Sequence, residues 1–386
     1  MADLTNADFM TPYEVSKYLS GVIAGKKFNK GTFLSDQFAD RDVTEAPTFN
    51  VDREADQKNV MGQYVHPKAD AGYIQLPDFG TEELRFAYAK EAINTDDFET
   101  LNQRQLGQAF GQVDVNANDA ANLQKKLTNA LNAFDNLKEK AAADILFNGA
   151  HTAEGPKAAK VVWDFNRTVI TADADYVTGM YIPEIDLTTL VGNGGAGKRA
   201  WDSTGGTKAP TPYLDIKKMV QTGIVRAKPI KMIVMDTNAY QLLEDDIIAN
   251  YSKAADVTLN VRDRIELQII PMVETYRGLT YQRLLPFAGG SVVAIYTYTA
   301  AYNDRVTGVE TKYVPTGKIV GIPDARWQGL RYGRIKHRKA RWAAMPIWVN
   351  TWMEEKTGEW EQELHSSFVM FPWDANALIS WKVASS

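Results

Sequence analysis

The sequence contains no cysteine and only four histidines among 386 residues. A disulfide scaffold, a thiol nucleophile, and zinc or iron–sulfur sites built on thiolate are therefore excluded. The histidines, His66, His151, His337 and His365, lie far apart and show no metal-ligand spacing. A basic excess is also missing. The 43 Lys and Arg against 48 Asp and Glu leave a net charge of −5, which removes a whole-protein basic field for gripping nucleic acid. No run approaches eighteen consecutive apolar residues, so no membrane span is expected. Met1 to Met10 carries Asp3 and Asp8 and no basic residue, unlike a signal or transit peptide. These absences fit a chain folded in a reducing, aqueous compartment.

What is there is globular material, 45% hydrophobic and 24% charged, which excludes a wholly disordered chain. The length exceeds that at which one core stops growing, so two lobes or one large domain with excursions is expected. Thr11-Pro12-Tyr13-Glu14 reads as a capped helix start, with Gly25 as the stop. Residues 27–59 are polar with scattered aromatics, the pattern of an arm laid over other surfaces. Residues 60–98 read as a long two-stranded excursion, with strand pieces at Tyr64-Val65 and Tyr73 to Leu76. Having little core of its own, it must bury Tyr64, Tyr73, Leu76 and Phe79 against something.

Asn118 or Asp119 caps the longest predicted helix, which ends at Asn148 before Gly149. Leu123, Leu127, Ala130-Leu131, Phe134, Leu137, Ala141 and Ile145 form its apolar stripe, and Lys125, Asp135 and Glu139 fall on the polar remainder. Strands are predicted at 161–163, 168–170 and 187–191. The stretch Gly192 to Pro212 is rich in Gly, Thr and Pro and marks a boundary. An α/β lobe follows. It has a helix over 214–225, a buried strand at 231–235, a helix capped by Asp236 or Thr237, and strands at 267–270, 284–287 and 292–297. Strands at 343–351, 367–371 and 377–383 end the chain. The last two flank Pro372-Trp373-Asp374-Ala375-Asn376, a hairpin signal.

Three patterns invite a chemical reading. Gly192-Asn193-Gly194-Gly195-Ala196-Gly197-Lys198 matches the phosphate-wrapping loop, with 187–191 as its strand and Asp236 in the place of a magnesium-binding acid. Arg199 stands where Ser or Thr must reach the metal, and Pro210 and Pro212 oppose the helix that holds the phosphate, so a plain glycine loop is favoured. The basic run Arg326, Arg331, Arg334, Lys336, Arg338, Lys339 and Arg341 has no acid within 325–353. Pairing with Glu354, Glu355, Glu359, Glu361 and Glu363, in the same or an adjacent subunit, is favoured over nucleic-acid contact. Trp342, Trp348, Trp352, Trp360, Trp373 and Trp381 crowd the last 45 residues. A core role is favoured over a platform for glycans or bases. No catalytic residue, cofactor or metal is expected.

The order of segments resembles the major capsid proteins of tailed phages, specifically the lambda-like head protein family with the Hong Kong 97-type fold. The resemblance is carried by Asn59 to Pro67 with Gly72-Tyr73-Ile74 and Phe86 to Lys90, by Ile230 to Asp236, by Lys318 to Gly321 with Ala325 to Gly333, and by Phe368 to Val383. It implies an α+β fold with an N-terminal arm at 1–54 and an extended loop at 55–95. A peripheral domain at 96–211 holds the spine helix, about 118–148, and is completed by 341–386. An axial domain spans 212–340. The implied function is a major capsid protein assembling into hexamers and pentamers around double-stranded DNA. A phosphate-binding enzyme using the 192–198 loop is the alternative. The loop would dock on the neighbouring subunit, with Tyr64, Lys68, Tyr73, Leu76, Phe79 and Arg85 as interface candidates. A covalent cross-link through Lys68 is not expected. The implied partners are further copies of the chain, a separate scaffold protein, a portal and a decoration protein. The place is the virion, after synthesis in the bacterial host cytoplasm.

Overall fold

The computed structural model describes residues 32–54, 79–95, 115–155, 158–172, 176, 182–190, 199–203, 210–225, 228–251, 276–287, 292–305, 308–323, 328–353 and 360–385. The expected helix after Thr11 and the strand at 267–270 lie outside them. The chain opens with the single turn α1 (Phe33–Asp36), then β1 (Asp40–Val43), β2 (Thr48–Glu54), β3 (Phe79–Arg85) and β4 (Ala87–Thr95). The helix α2 (Val115–Asn148) leads into β5 (Ala150–Gly155), β6 (Ala158–Asp164), β7 (Val169–Ile170) and β8 (Glu184–Asp186). Next come α3 (Pro212–Val225), β9 (Met232–Met235), α4 (Thr237–Asp246), β10 (Leu279–Pro286) and β11 (Val292–Tyr298). Strands β12 (Ala301–Asn303), β13 (Glu310–Lys312), β14 (Lys318–Ile322), β15 (Gln328–Tyr332), β16 (Trp348–Met353), β17 (Trp360–Pro372) and β18 (Ile379–Lys382) complete it.

Helix α2 has 34 residues, a rod of about 50 Å at 1.5 Å per residue. Gly149 stops it at φ +70°, a left-handed conformation that favours glycine. Arg167 completes the stop. Its guanidinium donates to the carbonyls of Leu146 (2.9 Å) and Ile145, so a cation sits on the negative end of the helix. Most of the predicted stripe is buried, but Leu137 is exposed while Asp135 and Glu139 are buried. The covered face rotates along the rod. Its first half packs on β4 and β17 through Ile93 and Leu364, and its second half meets α1, β14 and β18.

Two large sheets frame the molecule. In the seven-stranded sheet the order is β10-β11-β9-β14-β18-β8-β7. Helices α3 and α4 cover it, with Ile216, Met219, Val220 and Leu243 against Ile233, Met235, Ile295, Ile319 and Trp381. Asp236 caps α4, its carboxylate accepting from Asn238 N, so the acid at the end of β9 has a structural task. The five-stranded sheet runs β1-β15-β17-β16, with β4 on the other side of β17. Strand β1 lies parallel to β15, pairing Asp40 with Gly329.

Two expectations fail. Strand β8 ends at Asp186, before the predicted 187–191, because the Asp186 carboxylate accepts from Thr188 N (2.9 Å) and turns the chain. The C-terminal hairpin does not form either. Strand β17 belongs to the five-stranded sheet and β18 to the seven-stranded one, between β14 and β8. Residues 372–378 cross from one sheet to the other. Asp374 accepts from Asn376 N (2.9 Å) and pairs with Lys228, which fixes the crossing. The C-terminal stretch expected to complete the spine-helix unit is therefore divided between both sheets.

Candidate assembly surface

Strands β2 and β3 pair antiparallel from Thr48↔Arg85 to Glu54↔Phe79 and form a two-stranded ribbon. The excursion is rooted at 48–54 and 79–85, earlier than the expected 55, and 87–95 serves the five-stranded sheet as β4. Tyr64, Lys68, Tyr73 and Leu76 lie outside the described residues. Phe79 opens β3 and Arg85 closes it, so the two stand about 20 Å apart along the strand and are not brought together. The Arg85 side chain is exposed, and its carbonyl accepts from Trp163 Nε1 at 2.9 Å.

The root of the ribbon is built around Arg331. Its Nη1 donates to the Asp40 carbonyl (2.9 Å) and its Nη2 to the Asp40 carboxylate (2.8 Å). The guanidinium also stands 5.7 Å from the rings of Phe49 and Phe371 and 5.9 Å from Trp373. Trp373 Nε1 donates to the same carboxylate at 3.1 Å. The Arg331 hydrogen bond holds the Asp40 carboxyl below the usual carboxylate range. Gly329 is required beside this group, since a Cβ there would run into the Phe371 ring.

The rest of the basic run behaves differently. Arg334 reaches Glu45 at 3.6 Å, so the acids that the described residues supply, Asp40 and Glu45, come from the start of the chain rather than from the expected 354–363. Among the described residues, Lys336, Arg338, Lys339 and Arg341 are exposed and make no ion pair. Their loop is nonetheless ordered by its own bonds. Ile335 N donates to the Ala343 carbonyl (3.0 Å), Arg341 N to the Arg338 carbonyl (3.1 Å), and Lys339 N to His337 Nδ1 (3.2 Å). Arg341 and Trp342 take φ values of +52° and +59°, a strained pair for residues with side chains. Trp342 is 54% exposed and follows Arg341 in the chain.

Behind this loop, His337 lies against Trp348 with centroids 4.5 Å apart, and His365 is buried below both. The Tyr88 hydroxyl lies 2.6 Å from His365 Nδ1, which ties β4 to β17. Burial, and then the Lys90 charge, push the His365 imidazole below its ordinary value. The core role expected for the C-terminal tryptophans holds fully for Trp381. Trp348 and Trp352 are half-buried, and Trp342 and Trp373 face outward.

Sequence reasoning put Glu139 on the polar remainder of the helix and missed its burial. This carboxylate is wholly buried on α2, where Oε1 accepts from Leu34 N (2.8 Å) and from the Tyr298 hydroxyl (2.8 Å), and Oε2 from Ser35 N (2.8 Å). Burial pushes it up to about 7, against the pull of those bonds. Periodicity could not reveal it, because the partners are over a hundred residues away.

The 192–198 glycine loop lies outside the described residues, but its surroundings do not suit a phosphate site. The expected strand before it is a turn at 187–189, and residues 199–203 after it are non-helical. They are tied down as a turn, with Trp201 N donating to the Val383 carbonyl (2.7 Å) and Trp201 Nε1 to Asp215 (2.8 Å). The helix N-terminus that a phosphate needs is not built there. Among the described residues no group of three or more His, Asp or Glu could hold a metal ion.

Comparison with solved structures fixes the fold. The crystal structure of the capsid protein attributed to a prophage of E. coli CFT073 aligns with TM-score 0.61 at 15% identity, covering 98% of this chain and 100% of that one. Weaker likenesses are the capsid of the cyanophage P-SCSP1u (TM-score 0.43, 10% identity, 100% of this chain and 94% of that one) and the capsid of a native GTA particle (0.46, 10%, 93% of each). No curated protein matches the chain in sequence. The architecture is the Hong Kong 97-type capsid fold, as the order of segments implied. The family profile described as phage major capsid protein E matches residues 188–383, just over half of the sequence. The chain therefore belongs to the phage major capsid protein E family, and it is a shell-forming subunit of a tailed-phage head.

Proposed function

We propose that the subunits form hexamers and pentamers of an icosahedral shell, each extending its β2–β3 ribbon over a neighbour. One observation supports this most. The described strands of the ribbon are seated on the body, with Val51 and Leu84 buried in the main core and the root fixed by Arg331, Asp40 and Phe49, while the segment 55–78 that joins them carries Tyr64, Tyr73 and Leu76 with little apolar sequence of its own to cover them. It needs a surface, and a second copy is the surface that a shell supplies. In this reading Tyr64, Lys68, Tyr73, Leu76, Phe79 and Arg85 contribute to the contact. The exposed cations of residues 336–341 add a charged contact to the acidic exterior of another subunit. The peripheral unit is the spine helix with the five-stranded sheet, and the axial unit is the seven-stranded sheet with α3 and α4. The closer kinship is with the lambda-like branch.

The shell encloses double-stranded DNA without sequence-specific contact, and the chain performs no catalysis. A separate scaffold protein, a portal and a decoration protein serve the same assembly, which begins in the host cytoplasm and ends in the virion. Deleting residues 63–76 tests the central point. The variant should remain a folded monomer with an unchanged circular dichroism spectrum and yield no shells by negative-stain microscopy. Normal shells from the deleted chain would refute ribbon docking, and loss of monomer folding would mean that the ribbon packs on its own body.

A further inference from the structure

Glu139 stands where three elements meet. It lies on α2, the amides of Leu34 and Ser35 reach it from α1, and the Tyr298 hydroxyl reaches it from the end of β11. Among the described residues no cation contacts this carboxylate. The nearby charges are engaged elsewhere. Asp36 pairs with Arg41 (2.7 Å) and accepts from the Tyr276 hydroxyl (3.1 Å), Lys138 pairs with Asp135 (2.7 Å), and Lys140 lies over the Tyr302 ring at 5.4 Å. The rest of the surroundings are aromatic. Phe33 packs on Tyr276, Tyr296 and Tyr298, and Tyr313 stacks on Tyr298 with its own hydroxyl buried and without a hydrogen-bond partner. An ionised carboxylate in such a place carries a desolvation cost that its neutral donors, the Ser35 hydroxyl among them, offset only in part.

The partners differ in chemistry. The two backbone amides can only donate, whereas the tyrosine hydroxyl can donate or accept. A proton on Oε1 can therefore point at the Tyr298 oxygen, reversing that one bond while both amides of α1 keep their acceptors. The site can hold a proton without releasing the segment it grips. If α1 lifts, water reaches the carboxylate and the reason to hold the proton disappears.

We propose that Glu139 is a proton-operated latch for residues 32–38: neutral while α1 is seated on the spine helix, ionised when α1 lifts away. Burial raises the carboxyl from its ordinary 4.5 to about 7, and α1 supplies part of that burial, so seating takes up a proton. The stabilisation of the seated form is full below about 4.5 and is lost as pH rises through about 7. Alkaline conditions open the latch, and mild acid closes it. The change in the lifted fraction between pH 5.5 and 8.5 is on the order of 30-fold.

Hydrogen exchange of the peptide covering residues 33–38 tests this on the full-length chain, with rates normalised to the intrinsic rate at each pH. The wild type should open on the order of 30-fold more at pH 8.5 than at 5.5. Glu139→Gln, which cannot ionise, should give a flat profile. Parallel profiles for the two chains would overturn the latch. Should Glu139→Gln fail to fold, Tyr298→Phe decides. It removes a charge-assisted bond to the carboxylate, roughly twice as strong as the neutral bond that the carboxyl donates to the same oxygen, so the midpoint of opening must move to higher pH. An unmoved midpoint overturns the proposal.

Discussion

Arg331 and Asp40 are 291 residues apart in sequence and joined by two hydrogen bonds, 2.9 Å to the main-chain oxygen and 2.8 Å to the carboxylate. The pair locks β1 onto β15 and, through Phe49, sets the direction in which the ribbon leaves the body. A lysine cannot reproduce the forked geometry or lie flat against three rings. Arg331→Lys should cost about 2 kcal/mol in urea unfolding with an unchanged slope, and should speed exchange in residues 48–54. An unchanged midpoint would show that the pair is ornamental.

The four cations at 336–341 that pair with no acid among the described residues lend themselves to a charge test. Arg338→Glu with Lys339→Glu should leave monomer stability within about 0.5 kcal/mol, because among the described residues neither side chain has a partner to lose. Shell yield at low salt should fall at least tenfold, and the residual assembly should lose its dependence on ionic strength. Light scattering across a salt series reads both. Undiminished assembly would assign the loop no role between subunits. Salt-sensitive retention of DNA by the wild-type subunit, lost in the variant, would turn the loop toward nucleic acid.

Two glycines offer a matched comparison. Gly308 and Gly317 both sit at φ +69°, but only Gly317 faces an obstacle, the Ala384 carbonyl. Gly308→Ala should cost about 1 kcal/mol for the left-handed backbone alone. Gly317→Ala adds a collision with the backbone just past β18 and should cost about 3 kcal/mol or more. Equal thermal midpoints for the two variants would contradict the close approach.

His365 predicts an acid weakness. Its imidazole is depressed below 6.5, so its contribution is full above 6.5 and is lost as pH falls through the depressed value. The difference in thermal midpoint between wild type and His365→Gln should therefore shrink between pH 7 and pH 5. Taking the difference removes Glu139 and Asp215, whose raised values act in the opposite direction. A constant difference would clear His365 of any part in acid sensitivity.

Local signals were legible where one element decides its own fate. The apolar stripe of α2, the stop at Gly149 and the Asp236 cap follow from periodicity and turn chemistry, and all three stand in the structure. Burial of Glu139 was not legible, because the cover comes from α1 and β11. The partners of the basic run were misplaced for the same reason. Proximity in sequence pointed to Glu354 and Glu363, whereas a parallel pairing with β1 delivers Asp40 and Glu45. Pro372 to Asn376 has the composition of a tight turn, and nothing in it says that the flanking strands serve different sheets. Of the proposed assembly surface, the excursion and the basic run could be read from the sequence. The rigid root that aims the one and the strained backbone that presents the other could not.

The crossing at 372–378 also constrains biosynthesis. Lys90 finds its neighbour His365, and Glu184 its neighbour Ser380, only after β17 and β18 have been made. A nascent chain on the ribosome can wind its long rod early, but neither β layer can close until residues 360–382 have emerged. A product of premature termination would then carry two open edges at once, so the cell would meet truncated subunits as sticky, degradable material rather than as building blocks that could poison a growing shell.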